Sequence, residues 1–259
     1  ALHGNTTGDA NTAVGHLAGE ACTTSTANVF IGAWAGNSIT TGDARCVAIG
    51  FRAGEDITSG TQCTVIGQYA GTNITTGAYN TCVGAYSLNT NTTGTENVAI
   101  GSSALKANTT ASNNTAVGYR ALLVNTTGAN NVAVGHDAGI SITTANYNTL
   151  VGMHAADSLI DGNSNVIVGY YAADALTTGA SNTAIGTNPL NGLTTGSNNI
   201  GLGRDAGNAG QPGGAVTSGS NQMCLGDNTI THSFTKVSIS ATSDARDKTN
   251  VQGLNIGLN

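Results

Sequence analysis

Three pairs of chemically capable side chains recur at one fixed interval, seventeen positions: Asp137 with His154, Asp157 with Asp174, and Cys46 with Cys63. An imidazole beside a carboxylate could hold a metal or share a proton. Two carboxylates side by side could work as an acid/base couple. Two thiols could pair or bind a soft ion. A fourth group has the same period. Trp34, Phe51, Tyr69, Tyr86, Tyr119, Tyr170 and Tyr171 fall in only two adjacent positions of that frame, and they are seven of the chain's eleven aromatics. Arg52, Arg120, Arg204 and His154 share those two positions. Aromatic rings interleaved with Arg make a row suited either to packing between subunits or to stacking on a sugar or other receptor.

The frame itself is a repeat. Thirteen glycines follow Val, Ile or Leu in one context, from Gly15 to Gly226, and ten of the twelve intervals between them are seventeen positions long. The interval from Gly32 to Gly50 is 18, and that from Gly203 to Gly226 is 23. With Asn11 as position 1, the unit reads Asn-Thr/Val-Ala-Val/Ile-Gly-x-x-Ala-Gly/Leu-x-x-Ile/Leu-Thr-Thr-Gly-x-x. A unit this short cannot hold a helix pair. Positions 2 and 4 are β-branched or apolar, as in Val29 and Ile31, which is strand chemistry. Glycines at positions 5 and 15 suit bends or close backbone approaches. The fold expected is all-β: a β-solenoid of about 13 coils with 17 residues per coil, forming a shaft over residues 1–228.

Position 9 and position 12 trade size. Gly36, Gly71 and Gly139 go with Ile39, Ile74 and Ile142; Leu88, Leu105 and Leu122 go with Asn91, Asn108 and Asn125. Two positions competing for one hole in the coil interior would give this pattern. Leu190 with Leu193 breaks it. Leu2 with Asn5 obeys it, which starts the chain at position 8 of a coil and makes a piece of a longer fibre the expectation. Position 3 is apolar as well (Ala13, Phe30, Val65, Ile167), although it points away from positions 2 and 4. A strand apolar on both faces is covered on both. One face fills the coil, and the other calls for a partner: a second and third copy of the chain, as a homotrimer about a long axis.

Composition excludes several functions. Gly is 37 of 259 residues and charged residues are 8%, with a net charge of -6, so there is no basic field for nucleic acid. No apolar run approaches the ~18 residues of a membrane span, and no membrane insertion is expected. The cysteines Cys22, Cys82 and Cys224 take apolar positions, and Cys46 with Cys63 reads as a thiol pair, with a disulfide the less favoured alternative. No zinc spacing is present, Asp137 with His154 reads as a surface hydrogen bond rather than a metal site, and no cofactor is expected. Asp157 with Asp174 lacks an acid/base partner.

After Gly226 the repeat stops. Ser233 to Ser240 alternates polar and apolar, the pattern of one more strand within a connecting segment 229–242. Ser243-Asp244-Ala245-Arg246-Asp247-Lys248-Thr249-Asn250-Val251 follows. This stretch resembles the auto-processing motif of the chaperone-of-endosialidase family, Ser-Asp-x-Arg-x-Lys-x-Asn-Ile/Val, which ends many phage tail fibres and tailspikes. The coils resemble repeats that often precede that domain, and are similar to the left-handed β-roll heads of trimeric bacterial adhesins. The resemblance implies that Ser243 is a nucleophile and Lys248 its base, with Asp244, Arg246 and Asn250 completing the motif. Ser243 would attack the Thr242 carbonyl and cut the chain once, between Thr242 and Ser243, after assembly. Residues 243–259 would be the start of that intramolecular chaperone, truncated shortly after Lys248. The functional expectation is a structural phage tail fibre, located on the virion or a cell surface, with host recognition of a glycan or protein. A bacterial trimeric adhesin is the alternative, and an ice-binding or glycan-degrading solenoid is disfavoured.

Overall fold

A computed structural model describes residues 1–40, 44–210 and 214–230. Residues Ala1–Asn228 form one compact unit. Among the described residues it contains thirteen strands, each spanning a position 2 to position 4 segment: β1 Thr12–Val14, β2 Val29–Ile31, β3 Val47–Ile49, β4 Thr64–Ile66, β5 Thr81–Val83, β6 Val98–Ile100 and β7 Thr115–Val117. The rest are β8 Val132–Val134, β9 Thr149–Val151, β10 Val166–Val168, β11 Thr183–Ile185, β12 Ile200–Leu202 and β13 Met223–Leu225. They form a single parallel sheet in sequence order, β1 to β13. Each pairs position on position, as Thr115 with Val132 and Val117 with Val134. Parallel neighbours need a long crossover; here the rest of each repeat unit supplies it by running once around the coil. The protein is a β-solenoid, and coil n is named below for the strand βn that it carries.

The middle residue of each strand points inward. Phe30, Ala48, Val65, Cys82, Leu150 and Ile167 are fully buried. The flanking residues face out, with Val14 61%, Ile185 42% and Val166 40% exposed. Position 3 therefore fills the coil, and positions 2 and 4 form the uncovered apolar face.

Close approach, not flexibility, explains the glycines. At position 5 the backbone is strained for any L-residue: Gly84 has φ +129°, and a Cβ there would lie 2.6 Å from the carbonyl carbon of Gly101 in the next coil. Position 15 has no left-handed φ. A Cβ on Gly77 would instead collide with the Gly94 carbonyl oxygen.

The shared hole in the interior is real, and three positions share it. An added Cβ on Gly71 would meet Ile74 Cδ1 at 2.8 Å, which is the position 9 against position 12 competition. The third claimant is position 3, of the same coil (Phe30 against Gly36, Val65 against Gly71) and of the following one. A Cβ on Gly19 would meet Phe30 at 2.6 Å, and one on Gly139 would meet Leu150 Cδ1 at 2.6 Å. This resolves the exception at Leu190 and Leu193. The residue above them is Gly201, whose added Cβ would strike Leu190 Cγ at 2.6 Å. The long interval also obeys the rule: Val216, after the extra residues, is buried beside Gly207.

Most buried polar groups are stacked amides; Asp137 is the charged one among them in the described residues. Asn97 donates from Nδ2 to Asn80 Oδ1 at 3.1 Å and to the Ala111 carbonyl at 2.9 Å, and its backbone N–H donates to Asn80 Oδ1 at 3.0 Å. The same pattern runs through Asn131, Asn148, Asn165, Asn182 and Asn199. Satisfied networks of this kind pin register, because a slip would leave each amide unpaired. A second ladder lies at position 13, where Thr23 Oγ1 donates to the Thr40 carbonyl at 2.7 Å and Thr92 Oγ1 to the Thr109 carbonyl at 3.1 Å.

Candidate functional site

The aromatic row sits just past the position 5 glycine. Its members at position 7 adopt left-handed backbone although they are not glycine: Trp34 φ 58°, Arg52 56°, Tyr69 55°, Tyr86 59°, Arg120 56°, Asp137 56°, His154 55° and Tyr171 48°. Such a conformation in bulky side chains persists only where the surroundings over-determine it. The backbone N–H at position 7 helps, by bonding to the previous coil: Tyr69 to Phe51 O at 2.9 Å, His154 to His136 O at 3.0 Å.

The rings form two runs. In the first, His16, Trp34, Phe51, Tyr69 and Tyr86 follow one another at centroid distances of 5.3, 5.5, 5.4 and 5.2 Å. The Arg52 guanidinium lies 5.3 Å from the Trp34 ring and Lys106 Nζ 5.3 Å from the Tyr86 ring. In the second, Tyr119, His136, His154 and Tyr171 follow at 5.1, 5.6 and 4.7 Å, and Tyr170 meets Tyr171 at 4.5 Å. Ser102 and Ser103 hold the corresponding positions of coil 6, between the runs.

All seven aromatics of the expected stripe thus lie in one row, but in two groups. Tyr119 reaches Tyr171 only through His136 and His154. His16 and His136 are not part of the expected stripe, although their signal is in the sequence: both stand at position 6.

The second run is ringed by charge. Arg120 Nε lies 3.3 Å from Asp137 Oδ1, and His136 Nδ1 lies 3.4 Å from Asp137 Oδ2. The hydrogen bond of His154 goes to Asp157, Nδ1 to Oδ2 at 3.1 Å, rather than to Asp137. Burial, and then the neighbouring Asp157, push the Asp174 carboxyl up from the usual range, with His154 opposing.

The five cysteines are free thiols. Cys46 and Cys63 take the Asn position of the ladder and contact the same kind of carbonyl, Sγ of Cys46 to Gly60 O at 3.5 Å and of Cys63 to Gly77 O at 3.4 Å. The hydrogen bond to Cys63, and then burial, hold the Cys46 thiol well above its ordinary value, and burial does the same for Cys82. Thiols so held are poor nucleophiles. Ser243, Lys248, Asp244, Arg246 and Asn250 lie outside the described residues.

The fold and this row define the class: a single-stack parallel β-solenoid that carries a line of rings along one bend. Comparison with protein-family models, with curated proteins and with solved structures finds no match to this chain.

Proposed function

We propose that this chain is the shaft of a homotrimeric surface fibre, a phage tail fibre by the resemblance of its coils and tail. The observation that carries the reading is the outward face of the sheet. Positions 2 and 4 put Val, Ile, Leu and Thr on the outside of the strands, without a helix or loop over them among the described residues. Parallel sheets are covered on both faces as a rule. Two further copies of the same chain are the simplest cover, because the apolar strip is continuous along the stack and repeats every coil. Sedimentation equilibrium tests this: a trimer is expected, and a stable monomer at micromolar concentration would overturn it.

In this reading the row of rings is the recognition surface. Phe51, Tyr86, Tyr119 and Tyr170 are exposed in the single chain. Rings spaced at about one coil each suit stacking on successive units of a host glycan or on a protein receptor. The position 13 Thr hydroxyls donate to carbonyls of the next coil, so they serve the stack itself rather than an ice-binding face.

The processing step belongs to the same reading. Ser243 Oγ attacks the Thr242 carbonyl while Lys248 takes the hydroxyl proton and passes it to the Ser243 nitrogen as the amide C–N bond breaks; water then hydrolyses the resulting Thr242–Ser243 ester, and the chain parts there. Expression with the native downstream sequence should give a cut product, and Ser243→Ala should stay intact. Equal processing of both would remove this part of the proposal. Detection in virions rather than outer-membrane fractions separates a phage fibre from a bacterial adhesin.

A further inference from the structure

We propose that coils 8 and 9 carry a binding site for a divalent transition cation, held by His136, Asp137 and His154. One potential ligand atom from each of the three lies within 4.8 Å of the other two. Two of these side chains come from coil 8 and one from coil 9, so the bound ion would staple neighbouring coils.

The carboxylate is the unusual member. Asp137 is only 6% exposed, and its Oδ1 accepts no hydrogen bond. Its neighbour Arg120 Nε, 3.3 Å away, likewise makes none. This oxygen is ion-paired with Arg120 but accepts no hydrogen bond, so part of its acceptor capacity is unused. Asp137 also holds left-handed backbone, φ 56°. The bend that imposes this conformation sets its side chain beside two imidazoles.

His154 has the support that a metal-bound histidine needs. Its Nδ1 pairs with Asp157 Oδ2 at 3.1 Å, which in the tautomer that donates this bond leaves the Nε2 lone pair free. A carboxylate behind the imidazole raises its basicity and fixes its ring. Charge also favours a cation: Asp157 stands behind His154, and Asp137 faces the single guanidinium of Arg120.

Two imidazoles and one carboxylate select a borderline ion such as zinc, nickel or cobalt over calcium or magnesium, which take oxygen sets. Ligands on tetrahedral zinc stand roughly 3.3 Å apart for bonds of about 2.0–2.1 Å. The three side chains must close up by as much as about 1.5 Å to bind. His136, with a side chain 49% exposed, has the freedom to do so.

The test is titration calorimetry on the full chain, stripped with chelator, using zinc and then calcium as probes. One zinc per chain is expected, with Kd on the order of 10 μM or tighter, and no heat from calcium. His154→Ala and His136→Gln should each abolish saturable binding, and Asp157→Asn should weaken it about 10- to 100-fold. His3→Ala, outside the row of rings, should leave zinc binding unchanged. A copper-loaded sample should show two imidazole nitrogens in its electron paramagnetic resonance spectrum. Absence of saturable zinc binding overturns the proposal. So does binding that survives loss of both His136 and His154, or a copper spectrum without nitrogen coupling.

Discussion

The two ring runs share a backbone and differ in chemistry. After His16 the first run, to Tyr86, is Trp, Phe and Tyr, flanked by the cations Arg52 and Lys106. From Tyr119 to Tyr170 it contains two imidazoles, and carboxylates surround it. Ring spacing stays between 4.5 and 5.6 Å in both runs. The coil sets spacing, and the side-chain type at positions 6 and 7 sets the chemistry of the row. The interior beneath is also free to vary. Coil 4 uses Gly71 with Ile74 and coil 7 uses Leu122 with Asn125, under bends of the same conformation.

The strongest challenge to this comparison is at the shared bend. Gly84→Val in the first run and Gly135→Val in the second should both destabilise by roughly 3 kcal/mol or more, because each adds a Cβ against the next coil's backbone at a φ closed to Val. Thermal unfolding should show equal losses; a loss in only one run would mean that the bends are not equivalent. Next comes the interior. Gly71→Leu should cost about 1–3 kcal/mol by overpacking against Ile74, and Ile74→Asn added to it should recover part of that. Additive losses would show that the two positions do not share a hole.

Smaller effects should separate the runs. Arg52→Ala removes a cation from the Trp34 face and should cost about 0.5–1 kcal/mol in the first run only. Asp174 gives the smallest effect, confined to the second run. Its folded-state carboxyl is raised, by burial and then Asp157, so its contribution is fully present below the ordinary Asp range and fades as pH rises through the raised value. Asp174→Asn should therefore stabilise slightly at pH 7, within the about 0–1 kcal/mol of a solvent-screened group, and the gain should vanish near pH 3. Unfolding curves of both proteins at the two pH values, in chelator, check the sign.

Much of this was legible in the residues. The glycine period gave the coil count, and the Leu/Asn exchange at positions 9 and 12 pointed to a shared interior hole. The row at positions 6 and 7 was visible as well. What escaped was contact across a coil boundary between different positions of the unit. Phe30 answers to Gly19 of the preceding coil as well as to Gly36 of its own, and Gly201 answers to Leu190 of the preceding coil. His136 escaped for the same reason: its partner His154 is one coil and one position away, so no fixed spacing marks the pair.

By itself the sequence determined the period, the strand, the bends and the scarcity of charge, because a glycine that alone fits φ near +130° and an Asn that must find a partner in the next coil leave one register. Only the tertiary structure decided which face of the strand is inside. It also decided that bulky side chains at position 7 sit on left-handed backbone, and that His136 and His154, from neighbouring coils, gather around Asp137. Those outcomes depend on what lies in the coil above. Stacking sets that distance, and no local preference of the chain encodes it.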